Sequence, residues 1–366
     1  MKKTLAAVAV LGAFAGSALA ADVTLYGLVD LGVKYVNNDA GDSFSMASGN
    51  QSGSRFGLKG TEDLGNGLTV GFVLENGFDA DTGSLGNGSR LFGRESNLFI
   101  RGGFGELSFG RVGQLTSGNG SYGIAGNLSP FGTSWAGAVE GSTFMVGYDR
   151  MDNTVTYKTP TFAGVTVYAQ YSMSANTKDD AKPAPAENES SADRYYALGA
   201  TYANGGLNLV AVVDSYNWKT AGNEGFKDLD DGLTVTLGGS YDFEVVKAYL
   251  GVQYFDNMYL TYAAGNNKAA RFGFDNMEGY AVTAGVDAPV AGGKVMFAAG
   301  YTDAESAGNS KEEFDRWGVS VGYDYPMSKR TDVYGVVGYY SDNYDNVANK
   351  ADDDVTTVMI GLRHKF

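Results

Sequence analysis

What most limits the fold of this chain is a period of two that recurs along nearly its whole length. Residues 23–35 put Val23, Leu25, Val29, Leu31, Val33 and Tyr35 on one face and Tyr26, Asp30 and Lys34 on the other. Alternation of this kind marks a strand with one oily face and one wet face, because successive side chains leave a strand in opposite directions. Arg55 and Lys59 likewise oppose Phe56 and Leu58. The pattern continues at 68–78, 91–101 and 106–111, and again at 150–158, 164–173, 193–203, 206–218, 231–242 and 244–256. It closes with 277–288, 293–302, 314–325, 330–341 and 354–366, sixteen segments in all. Most are near the 9–11 residues that a tilted strand needs to cross a bilayer.

The connections alternate in length. Tight links fall at 63–67, 102–105, 159–164, 204–206, 242–244, 288–293 and 326–329. Long polar links fall between them, at 37–52, 79–89, 176–192, 219–230, 257–276, 303–313 and 342–353. An up-and-down meander with one rim in the periplasm and the other outside shows this segregation; a soluble sandwich does not. The final strand carries Val358, Ile360, Leu362 and Phe366 on one face, interrupted only by His364. An apolar edge left open invites aggregation, so this strand is expected to pair with the first and close a barrel at Phe366. The fold class is therefore all-β, an antiparallel transmembrane barrel. Sixteen strands leave a water-filled interior where eight would be plugged by side chains.

One stretch breaks the period. Residues 112–148 are rich in Gly, Ser, Thr and Asn, with Phe131, Trp135 and Phe144 scattered among them. A loop this long inside a compact fold has a task or is disordered, and its rings argue that it packs against something. Residues 1–20 read as a cleavable export signal, with Lys2 and Lys3, a short apolar run and Ala18-Leu19-Ala20 at the cleavage site; the mature chain then spans 21–366. Losing the two lysines takes the formal charge from −15 to −17, and nucleic acid, which needs a basic footprint, is excluded as a partner. With no cysteine, an exported chain must be held by its core or by closure of its sheet. Glycine at 53 residues beside 24 Tyr and 20 Phe suits half-wet strands and neither collagen nor disorder.

Several motifs resemble the general diffusion porins of Gram-negative bacteria, above all their betaproteobacterial branch. They are SRFGLKGTEDLG at 54–65, NTVTYKTP at 153–160, GLRHKF at 361–366 and VTLYGLVD at 23–30. The likeness spans essentially the whole mature chain. It implies a sixteen-stranded outer-membrane barrel, a homotrimer, and a third external loop, here 112–148, folded inward as a constriction. It also implies passive diffusion of small hydrophilic solutes and ions, with outer-membrane lipid and lipopolysaccharide around the barrel and no cofactor or metal.

The resemblance further implies an eyelet in which basic wall residues face carboxylates on the loop. Arg55 matches the wall arginine of the second strand, with Lys59 beside it; Arg94, in LFGR at 91–94, matches that of the fourth; Arg150 matches the third member. Parity places Arg55 opposite Phe56 and Leu58, and Arg150 opposite Met151, Val155 and Tyr157. For Arg94, strand parity over 91–101 would turn Glu95 and Asn97 outward. Glu75, opposite Phe72 and Leu74, matches a wall carboxylate. The loop departs from the family: its usual Pro-Glu-Phe-Gly stands here as Pro130-Phe131-Gly132, and Glu140 is the first acid after Val112. A basic ladder short of counter-charge in a low-dielectric throat favours anions, so anion preference is expected despite the negative total. Acidic runs at 178–180, 187–189, 228–231 and 352–354 lie in the long loops and read as solvated faces.

Two other classes stay open. A substrate-specific channel for sugars or organic anions would use Tyr26, Tyr168, Phe131 and Trp135 as a slide; a non-conducting adhesin or structural barrel would fill its lumen. An enzyme is excluded by the single His364, near the terminus, which has no nucleophile or carboxylate constellation around it.

Overall fold

The computed structural model describes residues 23–132, 135, 137–142, 150–175, 187–217, 230–258, 276–348 and 350–366. The export signal at 1–20, Phe144, and the acidic runs at 178–180 and 228–229 lie outside the described residues. The strands are β1 (Thr24–Asn38), β2 in two pieces (Gly41–Ser48 and Arg55–Gly65), β3 (Leu68–Asp79), β4 (Glu95–Gly102) and β5 (Gly105–Gly113). After the long loop come β6 (Arg150–Lys158), β7 (Val165–Ser172), β8 (Arg194–Asn204), β9 (Leu207–Asn217), β10 (Gly232–Asp242) and β11 (Lys247–Met258). The last five are β12 (Met277–Val290), β13 (Gly293–Ser306), β14 (Asn309–Pro326), β15 (Thr331–Asp345) and β16 (Asp353–Lys365).

Each strand pairs antiparallel with the next, and β16 returns to β1 in the register Leu28↔Lys365 to Asn37↔Thr356. The result is a closed sixteen-stranded barrel with no free lateral edge around its wall. Phe366 completes the seam, exchanging backbone hydrogen bonds with Gly27 at 3.0 and 3.1 Å. Its ring lies where a Cβ on residue 27 would sit, so glycine there is what lets the terminus close the sheet.

Burial is inverted relative to a soluble protein. Leu98, Leu198, Val213, Leu237, Leu250, Tyr254, Trp317, Val321 and Ile360 are exposed, while Thr156, Thr236, Gln253, Thr283, Ser320 and Thr357 are buried on the alternate positions of the same strands. Each strand turns its oily parity to the outside and its polar parity to the lumen. Positive-φ residues mark the tight turns, at Asn66 and Gly67 between β2 and β3 and at Ala291 and Gly292 between β12 and β13, as hairpins of this hand require.

Three details differ from the sequence reading. The stretches 37–52 and 303–313 are largely strand: β1 turns into β2 at Asp39–Ala40, and β13 into β14 at Ala307–Gly308. Beyond the bilayer neither face of a hairpin needs to be apolar, so polar strand and loop look alike in sequence. Second, β4 begins at Glu95 rather than at 91. Third, Met151 does not take the outer face. It is fully buried inside with Tyr195, Tyr216, Phe255 and Phe314. An irregularity in the β5–β6 pairing, with Asn153 at φ 50°, breaks the alternation there, so that Arg150, Met151 and Asp152 are all buried.

Candidate functional site

The loop after β5 runs around the inside of the barrel wall. Its root packs Leu115, Tyr122, Ala125 and Leu128 on Tyr168, Val210 and Val212 of β7 and β9. Polar contacts fix the same stretch. Gln170 donates to the Gly113 carbonyl at 3.1 Å, and Thr116 donates to the buried carboxylate of Asp214. Asp214 also accepts from Tyr195 at 2.9 Å and from Thr234. The Tyr122 phenol donates to Glu106 at 2.8 Å, and burial holds it well above its usual pKa.

Further on, the loop reaches β12 to β15. Thr283 donates to the Ser142 carbonyl at 2.6 Å, Ser320 to the Ala138 carbonyl at 2.6 Å, and the Ser142 and Ser320 hydroxyls meet at 2.7 Å. Phe131, Trp135 and Tyr334 form consecutive edge-on ring pairs at 5.7 and 5.2 Å. Trp135 donates its backbone N–H to the Gln51 carbonyl at 3.1 Å. Gln51 belongs to the detour of residues 49–54 between the two pieces of β2. The buried carboxylate of Asp30 holds that detour by accepting the Gln51 and Ser52 amides at 2.8 and 2.6 Å. Two segments therefore project into the lumen and meet. Beside them is a cavity of about 310 Å³ lined in part by Gln51, Phe131, Trp135, Lys294, Asp324 and Arg363.

The arginines gather on the wall of β2 to β6. Arg94 binds Glu75 at 2.7 Å, Arg55 lies 3.8 Å from the same oxygen, and Tyr26 donates to Glu75 at 3.0 Å. Arg150 donates to the Arg94 carbonyl at 2.7 Å. Lys59 lies one layer nearer the tight-turn rim, its amine 5.1 Å from the Tyr26 ring. The parity conflict at Arg94 disappears, since β4 starts one residue later: Glu95 and Asn97 face inward and Leu98 outward. Two arginines escaped the sequence reading, Arg90 and Arg111, which grip Asp152 at 3.0 and 2.6 Å. Arg111 shares the parity of Leu107 and the outward Phe109, and the pairing becomes irregular just there, between Gly110 and Val112, so alternation hides it. Arg90 sits in an irregular segment where parity says nothing.

Five guanidinium groups thus share one wall with the carboxylates of Glu75, Glu95 and Asp152, a surplus of two positive charges. The loop's own acid is elsewhere: Glu140 interacts electrostatically with Arg316 of β14, itself paired with Asp342. Pro130 and Phe131 press on the wall at Gly285 and Gly322. Phe131, Trp135 and Tyr168 are buried and offer no open slide to a passing solute. Among the described residues, no group of three or more His, Cys, Asp or Glu is placed to hold a metal.

A family model described as Gram-negative porin matches residues 6–346. The chain belongs to the Gram-negative porins. This porin is 35% identical to an outer membrane porin protein of Bordetella pertussis and 31% to outer membrane porin protein 32 of Delftia acidovorans, each alignment covering all of both chains. Its fold superposes on an anion-selective porin from Comamonas acidovorans with a TM-score of 0.72 at 27% identity, covering 95% of this chain and 100% of that one. It is an outer-membrane channel that passes small hydrophilic solutes and ions, and its chemistry is diffusion rather than catalysis.

Proposed function

We propose that this porin is a general diffusion pore that prefers anions, with Arg55, Arg94 and Arg150, aided by Arg90, Arg111 and Lys59, forming the basic side of its constriction. The observation that carries the reading is the excess of guanidinium groups over carboxylates on the β2–β6 wall, in a bore narrowed by a loop whose own acid, Glu140, engages Arg316 instead. Glu75 and Glu95 shape the field without cancelling it. The Comamonas relative, described as anion-selective, supports the same sign.

The chain's negative total does not oppose this. Glu278, Glu305 and Glu313 are cross-strand neighbours at the loop end of β12 to β14, on the parity of the outer rings Tyr280, Tyr301 and Trp317. Charge on that outer rim is screened within about 8–10 Å in physiological salt. The outer ring belt supports outer-membrane lipid, including lipopolysaccharide, as the surrounding partner, because aromatic girdles mark the two bilayer interfaces. A homotrimer, which the family resemblance implies, is part of the proposal, and so is export by cleavage after Ala20.

Liposome swelling tests the reading. Gluconate should enter several-fold faster than a cationic solute of equal size, and neutral sugars should show a size cut-off without saturation. Saturable uptake would favour a substrate-specific channel, and equal rates for both charges would remove the proposed selectivity.

A further inference from the structure

The inner wall beneath the loop tip lacks side chains at a group of inward positions. Gly300 and Gly318 are direct cross-strand partners on β13 and β14, and Gly338 pairs with Ser320 on β14 and β15. All three lie on the buried, lumen-facing parity of their strands, beside Ala298, Ser320 and Val336. A Cβ built on Gly318 would stand 2.7 Å from the Gly141 Cα, and one on Gly300 would stand 2.6 Å from the Gly141 carbonyl oxygen. On Gly338 it would collide with the Ala138 carbonyl oxygen, and on Gly285 it would stand 2.6 Å from Pro130. None of these four has a positive φ. Their backbone would accept any residue; what excludes a side chain is the backbone of the loop at Gly300 and Gly338, the loop backbone together with the Tyr339 carbonyl oxygen at 2.9 Å at Gly318, and the Pro130 ring together with the Phe297 carbonyl oxygen at 2.6 Å at Gly285.

At Gly300, Gly318 and Gly338 the loop's contacts are backbone against backbone, and the loop's polar groups are bound there as well, through Ser320 to Ala138 and Thr283 to Ser142. A strand in a closed barrel is held on both sides and cannot retreat. Any atom added at these positions must therefore move the loop, and the open direction is the lumen.

We propose that Gly300, Gly318 and Gly338 are size-determining residues of the pore: they form a seat that sets how far the loop stands from the wall, and so fix the bore. The inference rests on the reading that this loop narrows the lumen, and it is independent of the arginines and of ion preference. It also explains why a chain with 53 glycines spends some of them mid-strand, where glycine weakens a sheet.

Gly338→Ala and Gly318→Ala, purified as folded barrels, test this against Gly335→Ala, whose added Cβ meets nothing closer than 3.9 Å. Single-channel conductance and the sugar cut-off in liposome swelling are read for each. The seat variants should lose about a fifth to a half of the conductance and exclude the largest sugar the wild type admits, because an overpacked contact forces the backbone across it to shift. Gly335→Ala should match wild type, and all should keep one reversal potential. Should Gly338→Ala fail to fold, the milder Gly318→Ala decides alone. Unchanged or increased conductance in the folded seat variants would overturn the inference. A wild type with no sugar cut-off would instead overturn the constriction reading beneath it.

Discussion

Arg55, Arg94 and Arg150 act as a group because each is held at a different point. Arg94 is tied to Glu75, Arg55 to the Gly53 carbonyl at 2.8 Å, and Arg150 to the Arg94 carbonyl. Removing one unit charge about 10 Å from a permeating ion changes its energy by about 0.4 kcal/mol at the dielectric of water and about 1.7 kcal/mol at that of a protein surface. Because chloride and potassium respond with opposite sign, Arg55→Ala and Arg150→Ala should each lower the chloride-to-potassium permeability ratio by about fourfold or more. Glu75→Gln should raise it. Bi-ionic potentials on the purified channels measure both, and a ratio indifferent to Arg55 and Arg150 would remove them from the eyelet. Asp214 has a different task, since it holds the loop root through Thr116 while accepting from Tyr195 and Thr234. Asp214→Ala strands three buried hydroxyls, at about 1–3 kcal/mol for each left unsatisfied. Noisier open-channel current and a lower melting temperature are expected, with Asp214→Asn much closer to wild type; equal noise in all three would contradict the anchoring role.

At the scale of elements, the sequence revealed most where one face meets lipid. All sixteen strands follow from the period of two, because an apolar outer parity is obligatory across the bilayer. Strand ends were legible only to the bilayer boundary. Asp303, Glu305 and Glu313 look like loop and are strand, and Arg94 looks like strand and precedes it. Parity also failed at Met151, since the irregular pairing before Thr154 cannot be read from residue type. The loop's existence was plain from its broken period, whereas its seat was not: a glycine on the inward parity is invisible until the loop lies against it. The closing strand is testable as an element. Phe366→Ala removes the ring packed at Gly27 but leaves the backbone exchange. It should lower the thermal stability of the folded barrel by several degrees without altering conductance. A conductance change would show that the seam shapes the pore.

As a whole molecule, the chain is a hollow cylinder whose oily and polar surfaces are exchanged relative to a soluble protein, with one loop laid along the inside. The loop packs on inner wall from β7 to β15 and touches the arginine wall at its root, where Ser121 donates to Glu95 and Tyr122 to Glu106. Net charge, the quantity most easily read from sequence, misleads here because it sums residues that never see the lumen; in the proposed reading the sign at the narrow point comes from five arginines and three carboxylates brought together by five strands and a connecting segment. The measurement that tests this most directly is the zero-current potential of the channel in a planar bilayer across a tenfold KCl gradient. A potential of the sign set by chloride crossing faster than potassium is predicted, and a potential of the opposite sign would contradict the account.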